Sequence, residues 1–155
     1  VSMPNPHLVA FVDAVDDGEL VALGEVCEAA PAWLPNRANV SFVEVRSDGL
    51  FVRTFERGVG LTDSCGSAMA ASVHAACLTG RAGWDRTLTV WNKGGLVRGG
   101  AARNGMVTLE GNATWEWAGW VEIDQATGAV GEIAVEQEFA EESEAWKNLT
   151  SSPRP

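Results

Sequence analysis

The run Glu56-Arg57-Gly58-Val59-Gly60-Leu61-Thr62-Asp63-Ser64-Cys65-Gly66-Ser67 gathers two carboxylates, a guanidinium, a thiol and three glycines into twelve residues. It reads as a strand end, a Gly-rich turn and a helix start. A thiol in the first helical turn faces the positive end of the macrodipole. That position is expected to lower its pKa and favour the thiolate required for proton abstraction or nucleophilic attack. The free amides near Gly66 and Ser67 suit a carboxylate, and Gly66 lets a ligand come close to the backbone. Glu56 and Arg57 are neighbours on an extended element and point to opposite sides. The turn at Gly58 and Gly60 can bring either back over the helix start, one to hold an amino group and the other a carboxylate. Taken alone, a cysteine before a glycine at a helix start is more often structural than catalytic. The other thiols have less to offer. Cys77 lies on the same expected helix about 18 Å from Cys65 at 1.5 Å per residue, and Cys27 falls in an amphipathic helical pattern, so both read as small core hydrophobes.

These residues need a scaffold. Leu8 to Val12 is a buried-strand run entered directly from Asn5-Pro6-His7, as expected where a chain begins inside a larger protein. After Asp16-Asp17-Gly18 comes a helical stretch through Leu20, Leu23 and Val26, closed by Pro31 and Pro35. Asn39 to Arg46 alternates, with Val40, Phe42 and Glu44 on one face and Ser41, Val43 and Val45 on the other. Gly49 turns it into Leu50 to Phe55, a hairpin. Cys65 to Thr79 is small and apolar almost throughout and stops at Gly80, which predicts a helix buried on all sides, with His74 as a core or surface histidine. Thr87 to Trp91, Leu96 to Gly100, Met106 to Leu109 and Thr114 to Ile123 are short strands parted by glycine-rich turns. Together they predict an antiparallel meander enclosing one helix. Trp91, Trp115, Trp117 and Trp120 are expected to serve core and sheet packing rather than a ligand cage.

Composition narrows the function. With 155 residues, 46% of them hydrophobic and 21% charged, the chain can bury a core without a metal or disulfide. Eleven basic against 21 acidic residues leave a net charge of −10, which opposes binding to nucleic acid or anionic lipid. No apolar run reaches the ~18 residues of a membrane span, and no signal peptide is visible. Three cysteines at spacings that match no zinc pattern point to reduced thiols in a cytoplasm. The sequons at Asn39, Asn112 and Asn148 are then chance matches. Glu132 to Glu144 carries six glutamates and no base, expected as a solvated helix or tail.

Asn5-Pro6-His7, Asn39-Val40-Ser41-Phe42-Val43, Glu56-Arg57-Gly58-Val59-Gly60 and Cys65-Gly66-Ser67, in this order and spacing, resemble the C-terminal half of diaminopimelate epimerase. Asn92-Lys93-Gly94-Gly95 and Gly111-Asn112-Ala113 are similar to that family too. The resemblance implies an α+β fold, a curved and mostly antiparallel sheet around a central buried helix, over residues 1–135, with 136–155 an acidic tail or short helix. Family members have two such domains with the active site between them.

The implied activity is an isomerase, free of pyridoxal phosphate or any other cofactor and of metal. It interconverts LL- and meso-diaminopimelate for lysine and peptidoglycan synthesis. Two cysteines, one from each half, exchange protons on opposite faces of the α-carbon. By position Cys65 is the second of these. Asn5, Asn39, Glu56 and Arg57 bind polar groups of the substrate, and the backbone at Gly66 and Ser67 holds the α-carboxylate and stabilises developing charge. His7 belongs equally to the site edge or to packing at a strand start. Pro4 stands where the family usually has Gly, and Ala68 where a second Gly is common. The implied partners are diaminopimelate, the N-terminal domain of the same enzyme, without which the chain is expected to be inactive, and a second copy through the face meant for that domain. The alternatives are a related two-thiol isomerase, acting on proline or hydroxyproline or in phenazine biosynthesis, and a non-catalytic half-domain that binds an amino acid or another subunit.

Overall fold

A computed structural model describes residues 1–151. Its first compact unit runs from Val1 to Gly111 and is organised about two helices of unlike composition. Helix α2 (Gly66–Leu78) is made of small apolar residues, and nine of its thirteen positions are buried, from Ala68 through Cys77. Helix α1 (Asp17–Glu28) buries only Leu20, Gly24 and Cys27, and Asp16 caps it by accepting the Glu19 N–H at 2.9 Å. The strands are β1 (His7–Phe11), β2 (Asn39–Arg46), β3 (Gly49–Glu56), β4 (Gly60–Thr62), β5 (Thr87–Asn92), β6 (Gly95–Ala101) and β7 (Val107–Gly111). They form one sheet in the order β1-β2-β3-β5-β6-β7, with β4 paired to β3.

Helix α2 packs against β1, β2 and β3 as well as β6 and β7, so the sheet curves around it from both sides. Its small side chains allow close approach: a Cβ on Gly99 would meet Val73 Cγ2 at 2.8 Å. Strands β2 and β3 are covered on both faces. Val43, Leu50 and Val52 join Met69 and Val73 of α2, while Val40, Phe42 and Phe55 join Leu20 and Cys27 of α1. Phe55 sits so tightly against α1 that a Cβ at Gly24 would fall 2.3 Å from its ring.

The expected antiparallel meander holds for β5, β6 and β7. Elsewhere the sheet is mixed, because β1 pairs with β2, and β3 with β5, in parallel. A parallel pair requires a crossover, supplied by α1 in the first case and by β4 with α2 in the second.

A second unit begins at Asn112. It comprises β8 (Trp117–Trp120), β9 (Ala134–Glu138) and α3 (Ala140–Ser151). The strands pair antiparallel with a bulge at Ala118/Gly119, so the run expected from Thr114 to Ile123 is shorter than its composition suggested. Its tryptophans do not serve a core: Trp115, Trp117 and Trp120 are exposed, and the ring contact here is between Trp115 and Phe139, 6.0 Å apart. The acidic segment is solvated along β9 and the start of α3. Of the expected tail, residues 152–155 lie outside the described residues. Among the described residues no helix is long and apolar enough to cross a membrane.

Candidate active site

Cys65 is the N-cap of α2, in extended conformation, and its carbonyl accepts the Met69 N–H at 3.0 Å. The first amides of the helix, including those of Gly66 and Ser67, therefore have no intrahelical acceptor. A Cβ added at Gly66 would meet nothing within 4 Å, so the approach to these amides is open.

Strand β1 brings Asn5 and His7 to this helix end. Asn5 Nδ2 donates to Ser67 Oγ at 3.4 Å, and Ser67 Oγ lies 3.6 Å from Cys65 Sγ. His7 Nε2–H donates to Asn5 Oδ1 at 3.1 Å, since an amide oxygen only accepts. His7 itself is 4% exposed. The sequence left it between site edge and packing; in the structure it is buried and its ring is bonded to Asn5.

Strand β3 delivers Glu56, whose carboxylate accepts from Thr62 Oγ1 at 2.7 Å and bears electrostatically on the Cys65 thiol. The chain then reverses through Gly58 and Gly60, at φ of +78° and +102°, conformations that glycine adopts without strain. As expected of neighbours on an extended element, Glu56 and Arg57 diverge. The Arg57 N–H donates to the buried Asn39 Oδ1 at 2.8 Å, and its Nη1 to the Asn36 carbonyl at 3.0 Å. Asn39 therefore acts here as a clasp on the turn. One helix end thus gathers Asn5, His7, Glu56, Gly66, Ser67 and Cys65, with Asn39 and Arg57 joined on the turn that follows Glu56.

The expected acidification of Cys65 is corrected by its surroundings. Burial pushes the thiol up, and the Glu56 carboxylate adds to this through charge and hydrogen bonding. The Ser67 hydroxyl and the Ala68 amide act in the opposite sense and are outweighed. Burial also lowers the His7 pKa.

Several site-building residues received no role from the sequence. Asn92 Nδ2 donates to Ser64 Oγ at 3.0 Å and contacts Met69 Sδ at the same distance. The Gly94 N–H donates to the Asp63 carbonyl at 3.0 Å. The Asn92-Lys93-Gly94-Gly95 turn thereby holds the loop ahead of Cys65. On its other side, Arg53, 3% exposed, forms a bidentate pair with Asp17 at 3.0 and 3.1 Å and donates to the Thr62 carbonyl at 2.8 Å. A buried arginine in a strand that otherwise reads as apolar was the available signal, because such a charge needs partners.

The class is defined first by the fold: an α+β unit whose open, curved sheet encloses one helix. Two solved structures titled as phenazine biosynthesis proteins share it. One, from Bacillus anthracis, has a TM-score of 0.52 at 20% identity over 86% of this chain and 50% of that one. The other, from Clostridium difficile, has 0.54 at 16% over 86% and 48%. At such identities the likeness concerns the fold alone. Sequence goes further. The family model for diaminopimelate epimerase matches residues 1–116. Proteins named diaminopimelate epimerase, an isomerase, are 41% identical over 130 residues in Clostridium acetobutylicum and 38% over 145 in Listeria welshimeri. These matches take in 81% and 88% of this chain. The chain belongs to the diaminopimelate epimerase family. It spans 39% and 44% of the length of those two relatives.

Proposed function

We propose that this chain is the C-terminal domain of a diaminopimelate epimerase and contributes one of its two acid/base thiols, Cys65. The observation that carries the reading is the contact chain His7–Asn5–Ser67–Cys65 at the open N-terminus of α2, with the Glu56 carboxylate bearing on the thiol.

The substrate's α-carboxylate binds the amides of Gly66 and Ser67, where the helix end also stabilises charge developing at the α-carbon. Glu56 faces an ammonium group, and Asn5, Asn39 and Arg57 supply the remaining polar contacts. A thiolate from the N-terminal domain removes the α-proton from one face while the Cys65 thiol delivers one to the other. The step leaves Cys65 as thiolate and its counterpart as thiol, and the reverse reaction restores both. The resting protonated state follows from a thiol pushed up by burial. Since inversion needs exchange on opposite faces, the chain without its N-terminal domain is silent. No cofactor or metal takes part. Three free cysteines support a cytoplasmic location, and in the absence of the N-terminal domain the face that would receive it is open to a second copy.

The test joins this chain to the N-terminal domain and follows interconversion of LL- and meso-diaminopimelate together with α-proton exchange in heavy water. Cys65→Ala is expected to lose about 1,000-fold or more. Full activity in that variant would remove Cys65 from the mechanism.

A further inference from the structure

We propose that Thr62 is a positioning residue that holds the Glu56 carboxylate against the Cys65 thiol, and that the buried Arg53 anchors Thr62 for this task. The inference deepens the reading above and rests on it for its link to catalysis.

Thr62 ends β4 and is gripped from two directions. Its carbonyl accepts from Arg53 Nη1 at 2.8 Å, and its hydroxyl donates to Glu56 Oε1 at 2.7 Å. Backbone and side chain of one residue thus connect a buried guanidinium to the carboxylate beside the reactive sulfur. Arg53 is itself immobilised, because Nε and Nη2 pair with both oxygens of Asp17 and Nη1 also reaches Asp63 Oδ1 at 3.4 Å. Thr62 further pairs with Thr54 across the β3–β4 ladder, which fixes its place relative to the strand that bears Glu56.

Glu56 is the charged group that acts on Cys65, and His7, through Asn5 and Ser67, is the other titratable side chain at this helix end. Asp17 and Asp63 face Arg53 rather than the thiol. A carboxylate beside a thiol disfavours the thiolate, and Glu56 acts on Cys65 in this sense. Once untethered, it turns toward water and that effect falls. Thr62 therefore sets how strongly Glu56 restrains ionisation of Cys65.

The experiment measures alkylation of Cys65 by iodoacetamide against pH in this chain, read by mass spectrometry. Circular dichroism of each variant establishes that it is folded. Thr62→Val, which keeps the shape and removes the hydroxyl, is expected to label about threefold faster at pH 8, with the profile displaced to lower pH. Thr62→Ala should repeat this, and Thr62→Ser, which restores the donor, should follow the parent. Adding Thr62→Val to Glu56→Gln should bring no further change, because the carboxylate it tethers is gone. A parental profile in both Thr62→Val and Thr62→Ala overturns the proposal, as does an undiminished increase in the Glu56→Gln background. Labelling requires no turnover, so the two readings fail separately. An unmoved profile removes the positioning role, whereas an active Cys65→Ala enzyme removes the catalytic one.

Discussion

Cys65 and Cys77 stand at the two ends of one helix, and their surroundings differ in kind. Cys77 is 3% exposed among Val43, Leu50, Val52, Val73 and Val90, with its thiol directed at the Gly83 carbonyl 3.5 Å away. Cys65 is half-buried, with the Ser67 hydroxyl 3.6 Å from its sulfur and the Ala68 amide and Glu56 carboxylate acting on the thiol. Burial raises the pKa of both thiols, so burial does not tell them apart. The difference lies in donors: a hydroxyl and an amide at Cys65 can hold a negative sulfur, whereas Cys77 faces a carbonyl oxygen and the Asp85 charge, which further oppose one. Helix position supplies the opportunity for a reactive thiol, and the side chains delivered from β1 and β3 decide whether it is realised.

The largest expected contrast is in accessibility. In the native chain iodoacetamide should modify Cys65 at least ~1,000-fold faster than Cys77 or Cys27, whose labelling waits for unfolding. Peptide mapping by mass spectrometry checks this, and native-state labelling of Cys77 at a comparable rate would erase the distinction. Stability should show the reverse order. Cys77→Ala removes a sulfur from the core and is expected to cost about 1–2 kcal/mol, while Cys65→Ala should stay within about 0.5 kcal/mol. Urea midpoints at constant slope report both. Equal penalties would mean that Cys65 packs as Cys77 does.

How much of this contrast the sequence disclosed follows from the range of the interactions. The all-round burial of α2 is local in origin, since Ala68 to Cys77 offers no polar face to solvent, and the β2–β3 hairpin follows from alternation about Gly49. The convergence of Asn5, Glu56 and Ser67 on Cys65 came from motif resemblance, because nothing local to Asn5 foretells a partner 62 residues away. The parallel pairings were missed because hydrophobic periodicity is identical in parallel and antiparallel strands, and only the crossover geometry of α1 and α2 separates them. Arg53 and Thr62 escaped for the same reason, as their partners lie on other elements. The elevated Cys65 thiol was misjudged because a macrodipole argument sees the helix and not the carboxylate and burial brought by β3. Beyond Asn112, Trp115, Trp117 and Trp120 are exposed, which composition could not distinguish from a packed sheet.

The smallest expected effect concerns His7, which belongs to the Cys65 end alone. Its Nε2–H is engaged by Asn5, and its Nδ1 is buried with no hydrogen-bond partner among the described residues. The ring is therefore held neutral, and burial lowers its pKa below the usual 6.5. The unfolded chain takes up this proton near pH 6.5, whereas the folded chain does so only at lower pH. The stability contributed by a neutral His7 is complete above about pH 6.5 and is lost as pH falls toward the folded pKa. Asp17, whose carboxyl is held down by its hydrogen bonds from Arg53, also loses stability on acidification, but below the ordinary carboxylate range of about 4. The two windows are thus separable. The urea midpoint should decline on acidification from pH 7 to 5, and His7→Gln, which cannot titrate, should flatten that decline. An identical decline in His7→Gln would place the responsible proton elsewhere, and the neutral imidazole would then contribute nothing that separates the Cys65 end of the helix from the Cys77 end.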